Sequence, residues 1–179
     1  MSLTPACRAS GYTLTECCVV AAIVAVAAAA AVPSFSEGIE RRQLLGRAAE
    51  LSADLQWLRT EAVARQQAVR ITVGPAAGGA CYVMHTGPQE ACNCQGDNPA
   101  VCDAPAQMLK TVFVPADGPV RMVARPPSAA FQPTRGNATP TISFELSDTR
   151  GRTIRHVVSA LGRVRSCASV PGLGGLATC

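Results

Sequence analysis

Aromatic side chains make up only 4% of this 179-residue chain, and Trp57 is its single tryptophan. A core must therefore be filled by Val, Leu, Ile and Ala, which stabilise in proportion to the apolar area they remove from water. The sequence patterns of catalysis are also missing: there is no nucleophile elbow, no phosphate-binding glycine loop and no H-E-x-x-H helix. Both histidines, His85 and His156, stand apart from any Cys or carboxylate at metal-ligand spacing and read as structural residues. No enzyme, catalytic residue, metal or cofactor is expected. Acidic residues are scarce in the last third. From Arg121 to Cys179 eight arginines face only Glu145 and Asp148, a net of +6, whereas Tyr12 to Val120 carries −3. No internal repeat is apparent.

What the chain does have is an uncharged run from Cys17 to Val32 with one carboxylate, Glu16, at its start. A helix from Tyr12 to Val32 reaches about 30 Å, enough to cross the hydrocarbon core of a bilayer. A carboxylate near the middle of a membrane helix costs roughly 2.5 to 3.5 kcal/mol on insertion scales, so an ionisable residue in such a segment is a functional candidate, and Glu16 asks for a positive partner. Two alternatives compete. A cleaved secretory signal would use Arg8 as a weak positive n-region and the small residues Ala25 to Ala31 as its cleavage region, but an apolar signal core does not normally open with a carboxylate. A lipoprotein signal would need a small residue where Glu16 precedes Cys17.

Gly11, Tyr12, Thr13, Leu14 and Glu16, ahead of an apolar helix with Pro33 at its far end, resemble the type IV prepilin signature. The resemblance implies a leader at 1–11, cut by a prepilin peptidase between Gly11 and Tyr12, and N-methylation of Tyr12. It implies that 12–34 is a transmembrane and assembly helix packed among other major and minor pilins. The new α-amine of Tyr12 would then lie close to Glu16 of its own or a neighbouring subunit, and neutralise it in a low-dielectric bundle. Tyr12 stands where phenylalanine is commoner, and Cys17-Cys18 where bulkier apolar residues are; neither alters the charge pattern.

Beyond Pro33, Leu44, Ala48, Leu51, Leu55, Leu58 and Ala62 recur at alternating spacings of four and three. That is one apolar stripe, so 35–67 is expected to continue as an amphipathic helix, with Trp57 beside the stripe packing on a sheet. From 68 to 179 short β-like runs follow: Val69–Val73, Cys81–Met84, Leu109–Val114, Val120–Val123, Thr141–Leu146, Thr153–Val158 and Arg163–Cys167, separated by turn signals such as Gly78-Gly79 and Asp117-Gly118. Helix first and antiparallel sheet second is an α+β order, with the long N-terminal helix packed on the sheet domain. Glu90 to Pro105 reads as a stapled loop and Val170 to Cys179 as a coil.

Outside the leader and the apolar helix six cysteines remain: Cys81, Cys92, Cys94, Cys102, Cys167 and Cys179. An even number behind an export signal reads as disulfides in an oxidising compartment. Cys167 is expected to pair with Cys179 and tether the tail, and the other four to pair among themselves. A zinc site from those four is the rival, although the single residue between Cys92 and Cys94 departs from C-x2-4-C clamps.

The run Phe131-Gln132-Pro133-Thr134-Arg135-Gly136, the cysteine loop after Tyr82 to Gly87 and the closing Gly162-Arg163-Val164-Arg165 resemble the FimT/GspH group of minor pilins and pseudopilins, most of all the FimT type. The resemblance covers nearly the whole chain. It implies a pilin-like fold and a single-pass protein of the bacterial inner membrane whose C-terminal domain is periplasmic. It further implies incorporation into a type IV pilus or, alternatively, a type II secretion pseudopilus. Arg163 and Arg165, one residue apart on a strand, project from one face and suit phosphate. In FimT-type proteins a motif of this shape is associated with sequence-independent DNA binding during natural transformation. Arg150 and Arg152, which flank Gly151 in a hairpin tip, are candidates to extend the patch. The alternative is that these arginines solvate exposed hairpins or pair with acidic groups of adjacent pilins.

Overall fold

A computed structural model of the chain describes the backbone of residues 11–95 and 98–179, and side chains for all of these but 30–34 and 98. The expected leader, including Cys7 and Arg8, lies outside the described residues up to Gly11. Two compact units divide the chain, Met1–Ile39 and Glu40–Cys179, and helix α1 (Leu14–Ala64) contributes residues to both.

In the first unit α1 begins with a side-chain cap. Thr13 Oγ1 accepts the backbone N–H of Glu16 at 3.3 Å, which places Thr13 at the N-cap and Glu16 at the third helical position, the T-x-x-E arrangement of a capping box. Leu14, Val19, Val20, Ile23, Val24 and Val26 are all exposed, so this helical segment buries none of them within the described chain. Among the described residues no helix is long and apolar enough to cross a membrane, and the apolar run continues into 30–34, where no side chain is described.

In the second unit the expected stripe is the spine of the core: Leu44, Ala48, Leu51, Leu55, Leu58 and Ala62 are each at most 3% exposed. Each buried leucine contributes about 1.5–3 kcal/mol. The helix stops at Ala64, three residues before the expected Gln67. Gln66 adopts a left-handed φ of 52°. Its N–H donates to Val63 O at 3.2 Å and that of Gln67 to Ala62 O at 3.3 Å, the two closing bonds of a Schellman motif.

The strands are β1 (Val69–Ala76), β2 (Gly79–Thr86), β3 (Cys92–Gln95), β4 (Asn98–Cys102), β5 (Met108–Pro115), β6 (Val120–Arg125), β7 (Ser128–Phe131), β8 (Ala138–Thr139), β9 (Ile142–Asp148), β10 (Thr153–Val158), β11 (Val164–Ala168) and β12 (Ala177–Thr178). One sheet has the order β5-β2-β1-β7-β8 and a second the order β12-β11-β10-β9-β6. Every pairing is antiparallel except β11 with β12. Alternation drives the second sheet: Ile142, Phe144 and Leu146 of β9 are buried while Ser143, Glu145 and Ser147 between them are not. The helix stripe and the buried faces of both sheets meet in one cluster that includes Ile71, Met84, Phe131, Phe144 and Ile154.

Several expectations need correction. Ser128–Phe131 is an additional strand, wholly buried between β1 and β8, although Ser-Ala-Ala-Phe lacks the β-branched residues that mark strands. The supposed loop from Glu90 to Pro105 contains the β3–β4 hairpin, and the tail contains a 3-10 turn at Leu173–Gly175 and β12. Trp57 is 39% exposed rather than packed away against a sheet.

The cysteines pair as Cys81–Cys94, Cys92–Cys102 and Cys167–Cys179. The first two join the β3–β4 hairpin to β2 and its own strands to each other, around a small satellite core of Cys81, Val83, Cys92 and Ala100. The third holds the tail on β11. Cys17 and Cys18 are free thiols. One polar network ties helix to sheet: Asp54, 8% exposed, accepts the Tyr82 hydroxyl at 2.7 Å and the Lys110 ammonium at 2.7 Å. Burial, and then the hydrogen bond to Asp54, push the Tyr82 phenol well above its ordinary value, so it stays a donor.

Candidate nucleic-acid interface

The turn between β10 and β11 presents the Gly162-Arg163-Val164-Arg165 run. It is closed by three hydrogen bonds: Gly162 N–H donates to Ser159 O at 2.8 Å, Ser159 N–H to Arg163 O at 3.0 Å, and Arg163 N–H to Ser159 Oγ at 3.3 Å. Gly162 has a φ of 70°, the left-handed region where a side chain is strained. Space forbids a side chain as well, since a Cβ there would collide with the carbonyl oxygen of Gly136. Gly136, at φ 64°, is itself closed in, because a Cβ on it would lie 2.7 Å from Cγ of Arg59. A bond from Ala138 N–H to Ala160 O, 3.1 Å, holds the two loops together. The run from Phe131 to Gly136 and the Gly162 turn thus form one clasp, with Arg59 of α1 against it.

Arg163 immediately precedes β11 and Arg165 lies on it; both are exposed, with half-buried Val164 between them. That alternation puts both arginines on the outer face of the second sheet. Register adds further residues to that face. Arg165 is opposite Val157, Val157 opposite Ser143, and Ser143 opposite Arg125, which makes one row across four strands. The next row holds Val123, Glu145 and Arg155, and Arg155 Nη2 donates to Glu145 Oε2 at 3.4 Å. Arg121 follows beside Ser147 on the β6 edge. Among the described residues Arg121, Arg125, Arg163 and Arg165 form no ion pair. A shallow depression of about 450 Å³ between the rows is lined by Val123, Arg125, Ser143, Glu145, Ser147 and Arg155.

Arg150 and Arg152 are not brought to this place. They lie in the β9–β10 turn, at the opposite end of β10 from Arg163, about 20 Å away by strand rise. Each is committed locally: Arg150 Nε donates to Glu40 Oε2 at 3.0 Å, and Arg152 Nε to Asp148 Oδ2. Asp148 Oδ1 also accepts the backbone N–H groups of Arg150 and Arg152, at 3.0 and 2.9 Å, so the carboxylate organises the turn.

The histidines sit in the interior. His85 Nδ1 lies 3.0 Å from Thr86 O, a bond it can only donate, which leaves Nε2 to accept the Thr72 hydroxyl at 2.9 Å. That is a neutral ring, and burial lowers its pKa. His156 Nδ1 meets Ser166 Oγ at 2.7 Å, and burial lowers its pKa too. Among the described residues no group of His, Cys, Asp or Glu is arranged to hold a metal ion. At the other end of the chain, no side chain among the described residues bonds the Glu16 carboxylate, and Tyr12 is exposed.

Arg121, Arg125 and Arg155 were not singled out from sequence. Their alternation with buried neighbours put them on a polar face, but only the cross-strand register aligns that face with Arg165. The Gly136–Gly162 contact likewise joins two motifs 26 positions apart that no local spacing relates.

A long helix whose stripe is buried against two largely antiparallel sheets is the α+β architecture of pilin-like proteins. The family described as type II transport protein GspH matches residues 47–162, and the chain belongs to it, as a minor pilin or pseudopilin of the GspH/FimT kind. Membership implies association with other pilin subunits in a membrane-associated pilus or pseudopilus, and its members are structural rather than catalytic. The matched span ends at Gly162, so Gly11 to Glu16, Arg163 and Arg165 lie outside it. The crystal structure of the type IV minor pilin FimU of Pseudomonas aeruginosa is similar at 19% identity, over 70% of this chain and 89% of that one, with a TM-score of 0.49. No curated protein matches the chain.

Proposed function

We propose that this protein is a FimT-like minor pilin that takes part in assembling or initiating a type IV pilus and holds DNA, without sequence preference, through Arg163 and Arg165. The leader ends at Gly11, the peptidase cuts before Tyr12, and the new terminal residue is methylated. Residues 12–34 span the inner membrane and pack among other pilins, 35–67 continue as the amphipathic helix, and 68–179 form the periplasmic domain with its three disulfides. The observation that carries the assembly reading is the exposed apolar surface of the first part of α1, headed by a capped Glu16 whose carboxylate has no partner among the described residues. Mass spectrometry of the mature protein should find Tyr12 as a methylated N-terminus. Glu16→Val should leave processing intact and lower incorporation into sheared filaments; unchanged incorporation refutes the charge-pairing account.

The DNA reading is supported by the two unpaired, same-facing arginines on a turn whose glycine is fixed by packing. A second reading, a pseudopilin of a type II secretion system, is favoured by the description of the matching family. Deleting the gene separates them. Loss of pilus-dependent DNA uptake with normal protein secretion supports the first reading, and the reverse pattern supports the second.

A further inference from the structure

We propose that the DNA contact is a frame of four arginines across the outer face of the second sheet, Arg121 and Arg125 on one side and Arg163 and Arg165 on the other, which grips duplex backbone. The proposal rests on the reading that Arg163 and Arg165 hold DNA, and extends it to the β6 edge. Arg125 and Arg165 share a row three strand spacings apart, about 14 Å at ~4.8 Å per spacing. That separation is close to the ~12 Å width of a B-form major groove, so the two pairs reach the phosphates on its two sides. Between them the depression is lined by the short side chains of Val123, Ser143 and Ser147 beside Glu145 and Arg155. The floor is also devoid of aromatic rings, so unpaired bases find nothing to stack on, and the recognised feature is paired backbone rather than single strand.

Glu145 stands in the middle of the frame with Arg155 as its neighbour, both about half exposed. Its negative charge opposes a polyanion, and Arg155 offsets it. Removing that carboxylate should therefore tighten DNA binding.

The test measures the full chain in detergent micelles against a short fluorescent duplex and the matching single strand, by anisotropy, from low to moderate salt. With four phosphate contacts the duplex affinity should fall roughly 150-fold between ~50 and ~200 mM salt, and with two contacts only about 12-fold. R121Q/R125Q and R163Q/R165Q should each show the shallower dependence, E145Q should bind more tightly than the unaltered chain, and duplex should bind more tightly than single strand. If R163Q/R165Q flattens the salt dependence while R121Q/R125Q and E145Q change nothing, the frame is overturned and the turn alone binds DNA. Tighter binding of the single strand overturns the backbone-only recognition. A chain that binds no duplex, or binds it unaltered after R163Q/R165Q, overturns the underlying DNA reading and the frame with it. All substitutions are at exposed positions, and circular dichroism of each variant checks that the fold is retained.

Discussion

Replacing Gly162 by alanine separates two reasons for a glycine in the turn that presents Arg163 and Arg165. The first is conformation: Gly162 has a φ of 70°, and Gly151, in the β9–β10 turn, has a φ of 78°. Either position costs an L-residue about 1–2 kcal/mol. The second reason is space, and here the two differ. A Cβ on Gly151 meets nothing within 4 Å, whereas a Cβ on Gly162 collides with the Gly136 carbonyl oxygen and lies 3.0 Å from its carbonyl carbon. That obstruction is backbone, and it is held in place, because Gly136 N–H donates to Gln132 O at 2.9 Å. Forcing atoms into such a contact costs about 1–3 kcal/mol. Gly162→Ala should therefore be about 1–3 kcal/mol more destabilising than Gly151→Ala.

The unit from Glu40 to Cys179 carries its own core and is the natural material for a thermal melt followed by circular dichroism. For a domain near this size each kcal/mol shifts Tm by roughly 2–4 °C, so Gly162→Ala should melt about 2–12 °C below Gly151→Ala. Adding Arg59→Ala should not restore it, since the obstruction is not the arginine. Equal melting temperatures for the two alanine variants would refute the argument from space, and rescue by Arg59→Ala would move the obstruction from Gly136 to the side chain.

Two further outcomes follow from the interior. Tyr82→Phe removes the hydroxyl that Asp54 accepts at 2.7 Å and should cost about 1.5–3 kcal/mol in urea unfolding, the range for a hydrogen bond to a charged group; a loss under half a kcal/mol would mean that Lys110 alone satisfies Asp54. Burial lowers the pKa of both His85 and His156, so below the unfolded value of about 6.5 the unfolded chain binds more protons than the folded one. Stability should be level above that pH and fall as pH drops from about 6.5 toward 5.5, and an unfolding midpoint unchanged across that window would contradict the neutral, buried assignment.

The helix stripe was legible residue by residue because it depends on a local period of three and four, and each of its six members is buried. The helix end was not, because the left-handed closing residue is Gln66 rather than the glycine that normally signals one. β7 is marked by no local signal for a related reason: Ser-Ala-Ala-Phe has no β-branched residue and only Phe131 favours a strand, and it pairs as one between β1 and β8, where it is buried. At the candidate site the pair Arg163 and Arg165 is a local pattern and could be read directly. Its alignment with Arg125 is a matter of register through β10 and β9, and the distance of Arg150 and Arg152 from it is a matter of which end of β10 each turn occupies. Neither follows from spacing along the chain.

Glu16 joins the local and the collective parts of the proposed assembly. As the third residue of a capping box it sits at the positive end of the helix, where a carboxylate gains about 0.3–1 kcal/mol, and up to ~2 kcal/mol when partly buried. An acidic residue costs roughly 2.5–3.5 kcal/mol at the centre of a membrane helix and less in the first turn, where Glu16 sits, and the cap offsets part of that smaller cost. A cap alone would also be served by an uncharged glutamine at the same position. The charge is therefore the informative part, and in the proposed filament the remaining deficit is met by an amine that exists only after cleavage before Tyr12. Glu16→Gln, which keeps the capping geometry and removes the charge, should accordingly leave the helix intact and still lower incorporation into filaments. Incorporation at the level of the unaltered chain would reduce Glu16 to a helix cap.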